Sequence, residues 1–172
     1  MKIFFCDIDG VLTTGKKIYG KDGMPHSKEF FDKDFTALKQ FSAAGFDVIF
    51  VSSDVNINES VIKNRNYRFF YSRGKSKKEV ILENFQLEKY KVIMACGDDI
   101  FDIPMMELAT HRISTQDAHF LVKKICQRET DFISNKTGGN GVIQDMAEHY
   151  YNEFLSDITL IDIEKIDSLE KF

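Results

Sequence analysis

The chain has 172 residues, of which 43% are hydrophobic and 29% charged, as is usual for one domain with its own core. A net charge of −4 gives no overall attraction for nucleic acid or for an anionic membrane. Cys6, Cys96 and Cys126 lack CxxC spacing, so we expect reduced, buried thiols and a cytoplasmic protein. Asp7 and Asp9 interrupt the first apolar run too early for an export signal or a membrane span.

Apolar runs alternate with helical stretches along most of the chain. The runs are nearly continuous, which is typical of parallel strands covered on both faces: Lys2–Asp7, Phe46–Val51, Arg68–Tyr71 and Val92–Cys96. The helical stretches are Phe35–Ala44, Glu59–Asn66, Lys77–Asn84 and Asp102–Ala109. This alternation predicts an α/β fold, a doubly wound parallel sheet in three layers, as a single domain over residues 1–172. His111–Ser114 and Phe132–Ile133 are candidates for further short strands.

Two segments depart from the alternation. Residues 13–30 are too long for a tight turn and contain Lys21-Asp22-Gly23 at their middle, which predicts a β-hairpin flap. Residues 142–172 form a C-terminal helix and tail. Val142–Phe154 reads as the helix because its apolar side chains form one stripe. The last stretch, Ile158–Phe172, alternates apolar and acidic residues and yields no assignment.

Two acidic clusters follow apolar runs. Asp7 and Asp9 end the first run with Gly10 behind them, and "CGDDIFD" closes the run at Cys96 with Asp98 and Asp99, followed by Asp102. In a doubly wound sheet ligands bind beyond the carboxyl ends of the strands, so Asp7, Asp9 and Asp98 are expected to converge. An all-oxygen set of carboxylates suits Mg²⁺. The alternative is a purely structural role, in which "GDD" forms a turn and caps a helix.

Mg²⁺ beside a carboxylate nucleophile is chemistry for phosphoryl transfer. Asp7 would attack phosphorus, and Asp9 is placed to move the proton of the leaving alkoxide and of the attacking water. A phosphate also needs donors. Ser52 supplies a hydroxyl at a strand end, with helix capping as its alternative role, and "GKSKK" (residues 74–78) supplies an amine and a helix N-terminus. Of Lys75, Lys77 and Lys78, at most one is expected to face the site.

As a set, these motifs resemble the haloacid dehalogenase superfamily of phosphatases. "DIDGVLTTG", "YGKDG", "GDDIFDIPMM" and "DAH" are similar to its capless branch. That branch contains 3-deoxy-manno-octulosonate 8-phosphate phosphatase, nonulosonate (sialic-acid type) 9-phosphate phosphatases and the phosphatase-like domain of some CMP-sialate synthetases. The similarity extends over roughly residues 2–153.

The resemblance implies roles for individual residues. Asp7 would be the nucleophile and a metal ligand, Asp9 the acid/base and a ligand through its backbone carbonyl, and Asp98 the third protein ligand. Supporting or phosphate-binding positions are Gly10, Asp99, Asp102, Ser52 and Lys78, the last of which a different gap would move to Lys77 or Lys75. The family's tetramers also imply a homotetramer in which the hairpins pack at the centre.

Departures from the family pattern concern the substrate. Octulosonate phosphatases commonly carry Thr-Gly-Arg where this chain has Ser52-Ser53-Asp54, whereas an acidic residue there is typical of nonulosonate-type members. Lys33 stands at the position of a family arginine and Asp34 matches a family aspartate. Both are therefore expected near the substrate, as is Ser53. "GGNG" at residues 138–141 resembles the family's Gly-Gly-x-Gly loop.

The sequence thus predicts a Mg²⁺-dependent phosphomonoesterase acting on a 2-keto-3-deoxy sugar-acid phosphate in surface-glycan synthesis, with no nucleic-acid or membrane partner. Asp54 tips the choice toward a nonulosonate 9-phosphate over an octulosonate 8-phosphate. Two alternatives come from other classes. A signalling receiver domain also has acidic strand ends, but its phospho-acceptor follows the third strand rather than the first. A catalytically idle oligomerisation module is the other.

Overall fold

The computed structural model describes residues 1–171, so Phe172, the last residue of the unassigned tail, lies outside the described residues. Its strands are β1 Lys2–Cys6, β2 Ile18–Tyr19, β3 Pro25–Ser27, β4 Phe46–Ser52, β5 Arg68–Tyr71, β6 Val92–Gly97, β7 His111–Ser114 and β8 Phe132–Ile133. β2 and β3 form a small antiparallel hairpin, and the other six form one parallel sheet. The predicted fold class is confirmed, including the hairpin.

The order of the parallel sheet is β5-β4-β1-β6-β7-β8. The chain builds outward from β1 on one side and then returns to build outward on the other, so the direction of winding reverses between β1 and β6. These two strands are in register, with Cys6 opposite Cys96. The residues that follow them therefore leave the sheet side by side, at the edge where doubly wound proteins bind their ligands.

Helices cover both faces of the sheet. They are α1 Asp32–Ala43, α2 Ile57–Asn64, α3 Lys77–Asn84, α4 Ile103–Met106, α5 Phe120–Ile125, α6 Val142–His149 and α7 Leu160–Asp167. The sequence missed α5. It also predicted one helix over Val142–Phe154, whereas α6 ends at His149 and a π-helical turn follows over Tyr151–Leu155.

The two faces of the sheet bury separate cores. Phe4 and Phe50 contribute to a core shared with α1 and α6, whereas Phe5 and Ile49 contribute to one shared with α3 and α4. Successive strand residues point to opposite faces, so a strand covered on both sides needs apolar residues at every position. This is why the strands appear in the sequence as continuous apolar runs rather than alternating ones.

The C-terminal stretch that the sequence left unassigned contains α7, which packs against α1. Its acidic residues meet cations of the fold: Lys39 on α1 pairs with Asp167 and, at 3.1 Å, with Glu170, which lies 3.4 Å from Arg65. The segment is therefore a short helix beside α1, with ion pairs to the fold at its C-terminal end and just beyond it. Among the described residues, no helix is both long and apolar enough to cross a membrane.

Candidate active site

Three carboxylates meet where β1 and β6 end. Asp7 follows β1 and is 7% exposed, and Asp98 follows β6. Asp102 lies one turn further along, almost fully buried, and accepts hydrogen bonds from the backbone N–H groups of Asp98 (2.9 Å) and Asp99 (3.0 Å). Asp7, Asp98 and Asp102 each offer an oxygen within 4.8 Å of the other two. The switch point of the sheet thus holds a concentrated negative charge.

A single buried lysine partly neutralises this charge, and it is Lys77. Its Nζ donates to Asp7 Oδ1 and to Asp102 Oδ1, each at 2.5 Å. Lys78, which the resemblance matches to the phosphate-binding lysine, lies on the surface with its Nζ 3.4 Å from Glu107, and Lys75 pairs with Glu83. Lys77, the position that a different gap gives, is therefore the lysine of the three that faces the site. Asp7, Lys77, Asp98 and Asp102 are called the metal-side cluster below.

The carboxylates outnumber the ammonium group in this cluster, and their pKa values show it. Burial, with Asp102 as the next cause, raises the pKa of Asp7 to about 7. Burial, with Asp7 as the next cause, raises the pKa of Asp98 to about 8. Burial alone would lower the pKa of Lys77, but Asp7 and Asp102 outweigh it and raise it, so Lys77 stays charged. The cluster is short of positive charge.

The residues present fit a divalent cation. Asp98 Oδ1 is buried and has no hydrogen-bond partner among the described residues. A buried carboxylate oxygen without a partner is costly, and a cation beside it would remove that cost. The neighbouring oxygens of Asp7 and Asp102 complete an all-oxygen donor set, which is the kind that hard ions such as Mg²⁺ prefer.

Asp9 lies beside this cluster but its side chain belongs to a second one. Lys28, whose side chain is 1% exposed, donates to Asp9 Oδ1 at 2.8 Å and to Oδ2 at 2.9 Å. Asn58 Nδ2 donates to Asp9 Oδ2 at 2.9 Å, and Thr13 Oγ1 donates to Oδ1 at 3.3 Å. Both oxygens of Asp9 are therefore occupied.

Asp54 closes this second cluster. Its Oδ2 accepts from Lys17 at 2.7 Å and from Lys28 at 2.8 Å. Burial works against the charge of Asp54, but the two lysines prevail and lower its pKa. Lys17 and Lys28 lie before and after the hairpin, so Asp54 ties both ends of the flap to the loop after β4. Asp9, Lys17, Lys28, Asp54 and Asn58 are called the flap-base cluster below.

Ser52 lies between the two clusters and is 2% exposed. Its Oγ accepts from the backbone N–H of Asp54 (3.1 Å) and from Asn58 Nδ2 (3.2 Å). Because both contacts use Ser52 as the acceptor, its own hydroxyl hydrogen is available to a bound oxyanion. Ser53, the next residue, is exposed at the rim of the site.

Two glycines let the loops approach closely. Gly10 has φ +91°, and a Cβ there would lie 2.1 Å from Asp98 Oδ2. A Cβ at Gly138, in the "GGNG" segment, would lie 2.0 Å from the carbonyl oxygen of Gly10. A side chain at either position would push the loop after β1 away from Asp98, so the geometry of the cluster requires glycine at both.

These residues surround a cavity of about 310 Å³, called the acidic cavity below. It is lined by Asp7, Asp9, Gly15, Lys17, Ser52, Ser53, Asp54, Lys77, Asp98, Asp99, Phe101 and Asp102. Asp99 is exposed there, and its carboxylate accepts from the backbone N–H of Ile100 at 2.7 Å. This contact caps the short helical turn that carries Asp102 inward.

The structure does not bring Lys33 and Asp34 to this cavity. Lys33 is exposed and lines a separate depression between α1 and α6. Asp34 is buried, and its Oδ1 accepts from the backbone N–H of Gln144 at 2.9 Å, in the first turn of α6. Burial raises the pKa of Asp34 to about 6. The structure thus places neither residue at the acidic cavity: Asp34 holds the start of a helix, and Lys33 faces another surface.

Sequence reasoning missed Lys17, Lys28 and Asn58. Each lies 26 or more residues from at least one of its partners, so no local spacing connects them. One signal was present: Lys28 and Asp54 have opposite charges in the two segments expected to border the cavity. Pairing those charges would have explained an aspartate at a position where the resemblance expects an arginine.

The sequence and fold are similar to those of known phosphatases, although no protein-family model matches the chain. A 3-deoxy-D-manno-octulosonate 8-phosphate phosphatase from Haemophilus influenzae is 28% identical over 154 residues, which cover 86% of this chain and 81% of the relative. The cobalt-bound structure of the H. influenzae phosphatase has a TM-score of 0.76 at 25% identity, covering 88% of each chain.

A further phosphatase structure, from Moraxella catarrhalis, was solved with a magnesium ion, a phosphate ion and 3-deoxy-manno-octulosonate. It has a TM-score of 0.76 at 22% identity, covering 88% of this chain and 82% of its own, and this likeness concerns the fold. In sequence and fold together, the chain is similar to octulosonate 8-phosphate phosphatases, and this similarity supports a phosphatase activity.

Proposed function

We propose that the chain is a Mg²⁺-dependent phosphomonoesterase that hydrolyses the terminal phosphate of a 2-keto-3-deoxy sugar acid through an aspartyl-phosphate. One observation carries the proposal: Asp7, Asp98 and Asp102 offer oxygens within 4.8 Å of one another, beside Lys77 and beneath an open cavity. In this proposal Asp7 is the nucleophile, Asp7 and Asp98 hold the cation, and Lys77 is the fixed ammonium group. Phosphoryl transfer needs those three components.

Asp7 is the nucleophile in this proposal. One of its carboxylate oxygens attacks phosphorus, the bond from phosphorus to the ester oxygen breaks, and the leaving alkoxide takes up a proton. Lys77 fixes the position of Asp7 and offsets part of the negative charge that gathers during attack. Ser52 donates its hydroxyl hydrogen to a phosphate oxygen. Mg²⁺ held by Asp7 and Asp98 would screen the repulsion between the carboxylate and the phosphate.

Asp9 is proposed to supply the proton for the leaving alkoxide and to take one from the water that hydrolyses the aspartyl-phosphate. In the structure both of its oxygens accept hydrogen bonds from Lys28, Asn58 or Thr13. Asp9 must therefore exchange at least one contact with Lys28 before it carries a proton. Its backbone carbonyl is the part of Asp9 that the resemblance assigns to the metal.

The choice of sugar acid changes with the structure. The sequence favoured a nonulosonate 9-phosphate because of Asp54, but Asp54 is bound by Lys17 and Lys28, which accounts for its charge without a substrate. The relatives are octulosonate 8-phosphate phosphatases. We therefore propose the octulosonate ester as the first substrate to test and the nonulosonate ester as the second. The homotetramer and the cytoplasmic location stay predictions.

The proposal is tested by phosphate release from purified protein with Mg²⁺ present. The panel is an octulosonate 8-phosphate, a nonulosonate 9-phosphate and p-nitrophenyl phosphate, and the control is Asp7→Asn, which keeps the shape of the side chain. We expect turnover by the wild type and a loss of about 10⁴-fold or more in the variant. Wild-type protein that hydrolyses none of the esters would support the idle oligomerisation module instead.

A further inference from the structure

A second cavity opens beside the acidic cavity. It has a volume of about 540 Å³ and is called the side cavity below. Ser53, Lys77 and Phe101 line both cavities, so the two adjoin. A phosphate ester seated at Asp7 could place the rest of the molecule here without leaving the protein surface. The outer wall is formed by the loop after β5 and by the turn before α4.

The lining of the side cavity combines two kinds of chemistry. Ile100, Phe101 and Pro104 form an apolar wall, in which Phe101 is 73% exposed. Covering an exposed phenyl ring removes apolar surface from water and so favours binding of the ligand. The rest of the lining includes the cations Arg73 and Lys75, and also Glu79, whose carboxylate accepts from the backbone N–H of Ser76 at 2.7 Å. A ligand suited to this lining has an apolar part and an anionic group.

Among the cations that line the two cavities, Arg73 is the one whose charge is available to a ligand. The lysines of the acidic cavity already have carboxylate partners: Lys17 has Asp54, and Lys77 has Asp7 and Asp102. On the wall of the side cavity, Lys75 holds both oxygens of Glu83 at 2.7 Å. Among the described residues, Arg73 forms no ion pair, and it is exposed at the rim.

We propose that the side cavity binds the leaving group of the substrate, with Arg73 holding its carboxylate and Phe101 packing against its carbon skeleton. The inference rests on the proposed phosphatase function and adds where the leaving group binds and which side chains recognise it. A guanidinium group is suited to this role because its N–H groups match the two carboxylate oxygens. In octulosonate phosphatases the resemblance expects an arginine where this chain has Asp54. Arg73 would supply the missing guanidinium group from a different loop.

The test compares Arg73→Gln with wild type on two kinds of ester, a carboxylated sugar phosphate and p-nitrophenyl phosphate, which has no carboxylate. We expect kcat/KM for the sugar phosphate to fall about 10- to 100-fold, mainly through KM, because a charge-assisted contact is lost. The rate with p-nitrophenyl phosphate should not change. Arg73→Lys should recover part of the loss, and Lys75→Gln, which alters the neighbouring paired cation, should behave as wild type.

A second variant, Phe101→Ser, examines the apolar wall and should raise KM for the sugar phosphate. Both residues are exposed, so the melting temperatures should stay close to that of the wild type. Equal kinetics of Arg73→Gln and wild type on the sugar phosphate would overturn the role of Arg73, as would an equal loss on both esters. Failure of the wild type to hydrolyse any ester would overturn the proposed function and this inference with it.

Discussion

The metal-side cluster and the flap-base cluster lie at the same edge of the sheet, yet their charges are balanced differently. In the metal-side cluster, Lys77 alone meets the carboxylates of Asp7 and Asp102, and Asp98 Oδ1 is buried without a partner among the described residues. In the flap-base cluster, two carboxylates meet two lysines and an amide, and the lysine nearest the centre, Lys28, touches Asp9, Asp54 and Asn58.

The difference distinguishes a cluster with an excess of negative charge, which is suited to binding a cation, from a cluster whose charges are already balanced. A set of buried carboxylates that repel one another is stabilised when a cation binds to it or when some of them take up protons. A balanced set of ion pairs needs no ligand and instead fixes the segments that carry it. We therefore propose that the metal-side cluster holds the nucleophile and the cation, and that the flap-base cluster fixes the flap and the position of Asp9.

Asp98→Asn gives the largest effect expected here. It removes the charge that the cation needs while keeping the size of the side chain, so phosphate release should fall about 10³-fold or more. Added Mg²⁺ should raise the melting temperature of the wild type and have little effect on that of the variant. An unchanged Mg²⁺-dependent shift in Asp98→Asn would show that the cation lies elsewhere. Asp99→Asn is the matched control, because Asp99 is exposed.

Lys77→Met should lower phosphate release about 10²- to 10³-fold, because it leaves Asp7 without the ammonium group that positions it. Lys78→Met is the control: Lys78 forms its ion pair with the exposed Glu107, so this variant should retain nearly full activity. The reverse result, with Lys78→Met inactive and Lys77→Met active, would restore the prediction made from sequence. Both variants are read by the rate of phosphate release at saturating Mg²⁺.

The choice between Lys77 and Lys78 shows what local sequence patterns can predict about the site. Val80 and Ile81 are buried, and Lys77 lies three and four residues before them, hence on the buried face of α3. Ser76 and Glu79 form a capping box, whose Ser-x-x-Glu pattern also marks where the helix begins. The local pattern was therefore enough to place Lys77 on the buried face of α3. Matching the lysine to the family motif instead favoured Lys78.

Other features were beyond local reasoning. The sheet was predictable because continuous apolar runs need cover on both faces, and Asp7 and Asp98 because both follow such runs. The contacts of Lys28 span 19 to 30 residues along the chain and depend on where the flap folds back. Asp34 matched the family in sequence, but only the packing of α1 against α6 shows that it serves a helix terminus.

The two clusters also differ in their response to pH without metal. The pKa values of Asp7 and Asp98 are raised in the folded protein to about 7 and about 8, above those of the unfolded chain. The folded state therefore holds extra protons, and the stability they provide is present at low pH and is lost as the pH rises through these values.

In EDTA, the free energy of unfolding should fall between pH 5 and 8 by at most a few kcal/mol. Mg²⁺ should remove most of this fall, as denaturant titrations at each pH can measure; an equal fall with and without Mg²⁺ would contradict the charge imbalance.

Lys28→Met addresses the flap-base cluster and should act on stability. It leaves Asp9 facing Asp54 without the ammonium group between them, at a cost of about 2 to 4 kcal/mol in the free energy of unfolding. Lys17→Met is the matched control: Lys17 is more exposed than Lys28 and Asp54 keeps Lys28, so the cost should stay below about 1 kcal/mol. Denaturant unfolding measures both. Equal costs for the two lysines would mean that the flap-base cluster is an ordinary surface network, and the contrast with the metal-side cluster would then rest on the carboxylates alone.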